Sequence, residues 1–157
     1  MVEPIGAVFP GLQTSSYRVT SPATRDYNCI AWAAGDTAHW WWPDVDPDND
    51  AIFWPAGVPL EESLDTFVTA FATLGYAPCG GEAPEPGFER VALFARAGIP
   101  THAARQMPSG RWTSKLGPGE DIEHDLHALS GEVYGTMVQV LKRPSNVVPV
   151  PGAVAGP

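Results

Sequence analysis

Two short turns bracketed by alternating sequence, between residues 90 and 116, constrain this chain more than any other feature. Arg90-Val91-Ala92-Leu93-Phe94-Ala95 and Ile99-Pro100-Thr101-His102-Ala103-Ala104-Arg105-Gln106 read as strands on either side of a Gly98 turn. Pro108-Ser109-Gly110 repeats the turn chemistry and Arg111 to Leu116 resumes extended character, so 99–116 reads as a hairpin. With a three-residue loop, alternation puts His102, Ala104 and Gln106 on one face with Trp112 and Ser114. A two-residue loop would change which of these side chains face each other.

Upstream the pattern is helical. Asp26-Tyr27-Asn28 offers N-cap residues before the small-residue run Cys29-Ile30-Ala31-Trp32-Ala33-Ala34, which Gly35 ends. From Leu60, the apolar positions Leu60, Leu64, Phe67, Val68, Phe71 and Leu74 keep to one helical face, with Glu61 and Glu62 in the first turn and Gly75 at the end. Residues 1–25 read as an extended lead-in, 121–129 as a short helix with Ile122, Leu126 and Leu129 inward, and Val133 to Leu141 as a last strand. Helices followed by a run of antiparallel strands give an α+β fold: N-terminal helices, one bearing Cys29, packed on an antiparallel sheet. The expected organisation is one domain over 1–143 with a loose Pro/Val/Gly-rich tail over 144–157.

Charge narrows the partners. A formal charge of −9 with only nine Lys and Arg residues repels phosphate backbones and anionic membrane surfaces, so neither nucleic acid nor membrane is an expected partner. No apolar run approaches the roughly 20 residues that span a bilayer. The start, MVEPIGAVFPGLQ, lacks a basic n-region and a continuous apolar region, which points to the cytoplasm. Two cysteines, Cys29 and Cys79, make no disulfide framework and no metal knuckle; at least one free thiol is expected, a reducing compartment argues against a single Cys29–Cys79 disulfide, and no metal or cofactor is expected.

A thiol at a helix start is favoured as thiolate by unpaired N–H groups and by the positive end of the helix dipole. Cys29 has that position, and an imidazole beside it would share the thiol proton while the Cys29 N–H donates to an oxyanion. His102 is the candidate imidazole. Against this stands the ordinary reading of a lone Cys beside Ile and Ala as a small buried hydrophobe.

Tyr27-Asn28-Cys29-Ile30-Ala31-Trp32-Ala33 resembles the Cys-helix start of the papain-like superfamily that includes NlpC-type peptidases and CHAP amidases. Pro100-Thr101-His102-Ala103-Ala104 resembles the His strand of those families, and Thr-His-Ala-Ala-Arg-Gln with Trp-Thr-Ser-Lys-Leu-Gly resembles an uncharacterised group of bacterial domains. The resemblance covers roughly residues 26–35 and 88–143. It implies a cysteine-dependent hydrolase or acyltransferase acting on an amide, isopeptide or thioester bond of a peptide or protein, with Cys29 as nucleophile and His102 as base. The residue that orients the imidazole in those families maps to Ser114, where the family has His, Asn, Gln or an acid; Gln106 and Asp121 are alternatives. An upstream oxyanion donor would fall to Gln13, which no motif supports. Asn28, Trp41, Trp42 and Gln106 are the candidate substrate-binding residues.

The competing reading is a noncatalytic protein-binding module on a papain-like scaffold. Trp40-Trp41-Trp42 and the acidic segment Pro43 to Asp50 would then hold the partner. Core plugging is the plainer use of those tryptophans. His124 and His127, three apart on the expected helix, lack the further ligands a zinc site needs, although His124 could replace His102 if its helix folds over the thiol. Asp44, Asp46, Asp48 and Asp50 alternate like an EF-hand opening, but Asn49 stands at the Gly position and Pro55 where a bidentate Glu belongs.

Overall fold

The computed structural model describes residues 5–44 and 51–145. In chain order it contains α1 (Ile5–Val8), a 3-10 turn at Pro10–Gln13, β1 (Arg18–Ser21), α2 (Cys29–Ala34), β2 (Trp40–Trp41) and β3 (Ile52–Phe53). Then follow α3 (Leu64–Ala72), β4 (Ala77–Cys79), β5 (Phe88–Arg96), β6 (Ile99–Gln106), β7 (Trp112–Lys115), β8 (Asp121–His124), a second 3-10 turn at Leu126–Leu129 and β9 (Thr136–Pro144).

One seven-stranded sheet in the order β1-β8-β7-β6-β5-β9-β4 dominates, and each neighbouring pair is antiparallel. The fold is α+β with the sheet as its larger part. At the β5–β6 turn Ala97 and Gly98 both have positive φ, 52° and 81°, the combination whose twist matches that of the flanking strands. Met107 N donates to Arg111 O at 2.7 Å, so the β6–β7 hairpin closes on the three residues Pro108, Ser109 and Gly110. Its register, Gln106↔Trp112 and Arg105↔Thr113, puts His102, Ala104 and Ser114 on the same face.

The two faces of the sheet carry different cores. Val91, Leu93, Ala103 and Leu141 meet Ile30 and Ala31 of α2 and Phe67 and Phe71 of α3. Ala92, Phe94, Ala104, Trp112, Ile122 and Val140 meet Phe9, Leu12, Leu126 and Leu129, supplied by the two 3-10 turns and their flanks. The phenyl rings of Phe67, Phe71 and Phe94 are fully buried, each worth about 2–3 kcal/mol in apolar area removed from water.

Several elements differ from the sequence expectation. Residues 121–124 form a strand between β7 and β1 rather than the start of a helix, so only Leu126–Leu129 turns, and as a 3-10 segment. The lead-in is not simply extended: it contains α1, a 3-10 turn and the edge strand β1. Helix α3 begins at the Ser63 cap, whose hydroxyl accepts from Thr66 N, and leaves Leu60 outside it and 61% exposed. The last strand starts at Thr136 because Gly131 and Gly135 bond to each other in a tight turn. Asp46, Asp48 and Asp50 and the tail after Ser145 lie outside the described residues.

Candidate functional site

Asn28 builds the site's first corner. Its side-chain oxygen accepts from Ala31 N at 3.0 Å, capping α2, and from Trp41 N at 3.1 Å, while its amide donates to Trp41 O at 3.0 Å. One buried side chain thereby fixes both the start of α2 and the strand β2. Cys29 follows as the first residue of α2 and is 6% exposed. Its sulfur lies 4.0 Å from the Thr101 carbonyl, to which the thiol donates. Burial pushes the thiol up to about 11, outweighing the backbone hydrogen bonds and the Lys115 charge that act the other way.

Above Cys29 opens a cavity of about 650 Å³. Trp40, Trp42, Ile52, Pro118 and Tyr134 give it apolar walls, and Arg25 and Asp44 stand on its lining. Trp42 is held edge-on against Phe67, ring centroids 5.3 Å apart, and its indole N–H donates to Glu62 at 3.3 Å. Trp40 donates its indole N–H to the Arg25 carbonyl. Trp41 points the other way: it is 5% exposed, belongs to the core under α2, and its indole N–H goes to Asp36 at 2.8 Å.

His102 alternates with Ala103, and its ring lies opposite Phe94 on the second face of the sheet. Its 4.0 Å stack on Tyr134 completes a fully buried pocket for the ring. Nε2 is 2.9 Å from Ser114 Oγ, which is in turn 2.7 Å from His124 Nε2. The His124 Nδ1 is 2.7 Å from the Asp125 carbonyl, an acceptor only. Hydrogen bonding therefore assigns every proton: His124 carries its proton on Nδ1, Ser114 donates to His124 Nε2, and His102 donates through Nε2 to Ser114. His102 Nδ1 is left unprotonated, buried and without a donor among the described residues. Desolvation holds His102 well below the usual imidazole range, aided by His124, and brings His124 down to about 4.

The expected Cys29–His102 pair is thus not joined. The thiol's hydrogen bond goes to Thr101, and the imidazole's goes to Ser114. Period-two alternation explains the separation, because Cys29 packs with the Ala103 face and His102 belongs with Phe94 and Ala104. Ser114 does lie against His102. His124 joins that buried relay instead of reaching the thiol, and His127 is on the surface, 2.9 Å from Glu82. Gln106 is at the far end of β6, bonded to the carbonyls of Glu82 and Gly110. Asp121 is likewise elsewhere: it accepts the Tyr27 hydroxyl at 2.8 Å. Gln13 bonds the Gly6 carbonyl at 2.8 Å. Among the described residues no group of three or more His, Cys, Asp or Glu side chains could hold a metal, and no helix is long and apolar enough to cross a membrane.

Two participants escaped the sequence reading. Tyr134 touches both His102 and the cavity, and burial together with the neighbouring Cys29 sulfur drives its phenol far up. Lys115 is fully buried, donating to the carbonyls of Thr24 and Gly117 with its ammonium 5.0 Å from the Tyr27 ring centroid. The Gly131 and Gly135 bracket around Tyr134 was the available signal for the first. A lysine in an alternating strand usually reads as a solvated residue, so the second had none.

A family model described as "domain of unknown function (DUF7689)" matches residues 18–142. The chain belongs to that family. The matched span runs from β1 into β9, so the cavity, Cys29 and the His102–Ser114–His124 relay all lie inside the DUF7689 domain, whereas α1 and the first 3-10 turn precede it. No curated protein and no solved structure matches the chain.

Proposed function

We propose that this DUF7689 domain is a noncatalytic binding module that receives an apolar side chain of a peptide or protein partner in the cavity above Cys29. The observation that carries the reading is the cavity itself: about 650 Å³, walled by Trp40, Trp42, Ile52 and Tyr134, with a thiol at its base whose proton is held by burial. Such walls supply area and shape, while Asn28, locked by three hydrogen bonds, keeps the tryptophan strand in place rather than contacting a ligand through free polar atoms. Cys29 acts as a small apolar floor.

The test is a titration of the full chain with N-acetyl-phenylalaninamide, N-acetyl-leucinamide and N-acetyl-glycinamide, read by tryptophan fluorescence. Saturable binding of the first two, lost in Trp42→Ala and retained in Cys29→Ala, is the expected result. Equal responses to all three probes, or binding indifferent to Trp42→Ala, would refute it.

A second reading, the Cys29–His102 hydrolase or acyltransferase on a papain-like scaffold, is favoured by one observation. His102 Nδ1 is an unprotonated nitrogen with no partner among the described residues, and the other ring nitrogen is already oriented by Ser114. Turnover of a peptide p-nitroanilide or thioester that disappears in both Cys29→Ala and His102→Ala would promote this reading over the first.

A further inference from the structure

The polar side chains around the cavity above Cys29 are nearly all committed to the protein itself. Both ends of the Asn28 amide are bonded, to Ala31 and to Trp41. The Cys29 thiol donates to the Thr101 carbonyl, and the Thr101 hydroxyl donates to the Tyr134 carbonyl. The indole N–H groups of Trp40 and Trp42 go to the Arg25 carbonyl and to Glu62. Arg25 and Asp44 stand exposed on the lining, where water solvates their charges. The Tyr134 hydroxyl is the exception: it has no hydrogen-bond partner among the described residues.

Tyr134 meets the cavity end-on. His102 stacks on its ring at 4.0 Å with an interplanar angle of 12°, and Phe9 packs 5.1 Å from it. With the ring taken by these two neighbours, the hydroxyl end is what remains to face the cavity, on the side of the Cys29 sulfur whose charge it feels. Burial keeps the phenol protonated, so this oxygen offers a donor at every ordinary pH. The turn that carries it is tied down by the paired bonds between Gly131 and Gly135 and by Arg96, which donates to the Glu132 carbonyl. The donor is therefore held in place, and a wholly apolar occupant would strip it of water without bonding it.

Resting on the reading of this cavity as the receptor for a partner's side chain, we propose that its preferred occupant is a tyrosine of the peptide or protein partner, whose ring lies against Trp40 and Trp42 and whose hydroxyl oxygen accepts from the Tyr134 hydroxyl. A flat ring suits tryptophan walls, whereas a glutamine brings an acceptor but no ring. A carboxylate or ammonium tip would lose its hydration among apolar side chains. A neutral phenol meets both demands, and a site that hydrogen-bonds a hydroxyl discriminates against the analogue lacking it.

Titration calorimetry of the full chain compares N-acetyl-tyrosinamide with N-acetyl-phenylalaninamide, on the unaltered protein and on Tyr134→Phe, a variant that deletes one oxygen and keeps the ring on His102. One hydrogen bond should make the tyrosine probe bind the unaltered protein about tenfold more tightly than the phenylalanine probe. In Tyr134→Phe the two probes should bind alike, at the affinity phenylalaninamide has for the unaltered protein. A tyrosine probe no tighter than the phenylalanine probe, a preference that survives in Tyr134→Phe, or loss of phenylalaninamide binding in that variant would overturn the assignment and leave the side-chain receptor standing. If neither probe binds the unaltered protein, both fall together.

Discussion

Acidifying this protein to pH 5 should cost it stability through His124 before its carboxylates contribute. In the folded chain His124 is fully buried and titrates at about 4, against about 6.5 for an unstructured histidine. The unfolded chain therefore takes up the proton first. The stability associated with neutral His124 is complete above pH 6.5 and declines as pH falls from 6.5 toward 4. At pH 5 linkage gives a loss of about 2 kcal/mol from this residue alone, and His102, depressed further by burial, acts in the same direction. Urea unfolding followed by tryptophan fluorescence at pH 7.5, 6 and 5 reads the effect. The midpoint should fall by about 1 M between the extremes, given the usual urea sensitivity of a domain this size. Asp36, Glu85 and Glu123, whose carboxyls are held below their usual range, withdraw their contributions only at lower pH and so leave this window to the imidazoles. In His124→Gln the loss between pH 7.5 and 5 should shrink by about 2 kcal/mol, since the amide retains an acceptor for Ser114 without titrating. An unchanged midpoint from pH 7.5 to 5, or an acid limb equally steep in the variant, would refute the assignment of a neutral buried relay.

Other outcomes follow from single contacts. Iodoacetamide should alkylate Cys29 about 100-fold more slowly than an unhindered thiol at pH 7.5, because a thiol near 11 is almost wholly protonated there; mass spectrometry of the timed reaction gives the ratio. Asn28→Ala removes a helix cap and both ties to Trp41, and should lower unfolding free energy by about 2–3 kcal/mol in urea titrations. Gly135→Ala would set a Cβ 2.0 Å from the Ala95 carbonyl oxygen at a φ of 74°, and a loss of about 3 kcal/mol or more should appear as a lower thermal midpoint.

The hairpin from Ile99 to Lys115 was legible because its alternation and its Pro108-Ser109-Gly110 turn agree, and the same alternation brought Ser114 to His102. That pattern also held the information that His102 and Ala103 face opposite ways. Which of the two faces α2 covers depends on packing between residues far apart in the chain, so the expected pairing with Cys29 could not be checked from spacing. Residues 121–129 misled for a local reason: Ile122, Leu126 and Leu129 have helical spacing by coincidence, since Ile122 is a strand residue while the two leucines sit on a 3-10 turn in the same core. Strand β4 is only Ala77, Pro78 and Cys79, too short for a period and interrupted by proline. Arg90 reads in sequence as the solvated start of a strand, and nothing nearby signals that its guanidinium is enclosed.

The brevity of β4 bears on how these molecules tolerate crowding. It forms one rim of the sheet, and a foreign strand laid along that rim would find three residues, one of them a proline with no amide proton to offer. Lateral growth into fibrils is thereby discouraged beside the long strand β9, while β5 is already paired on both sides.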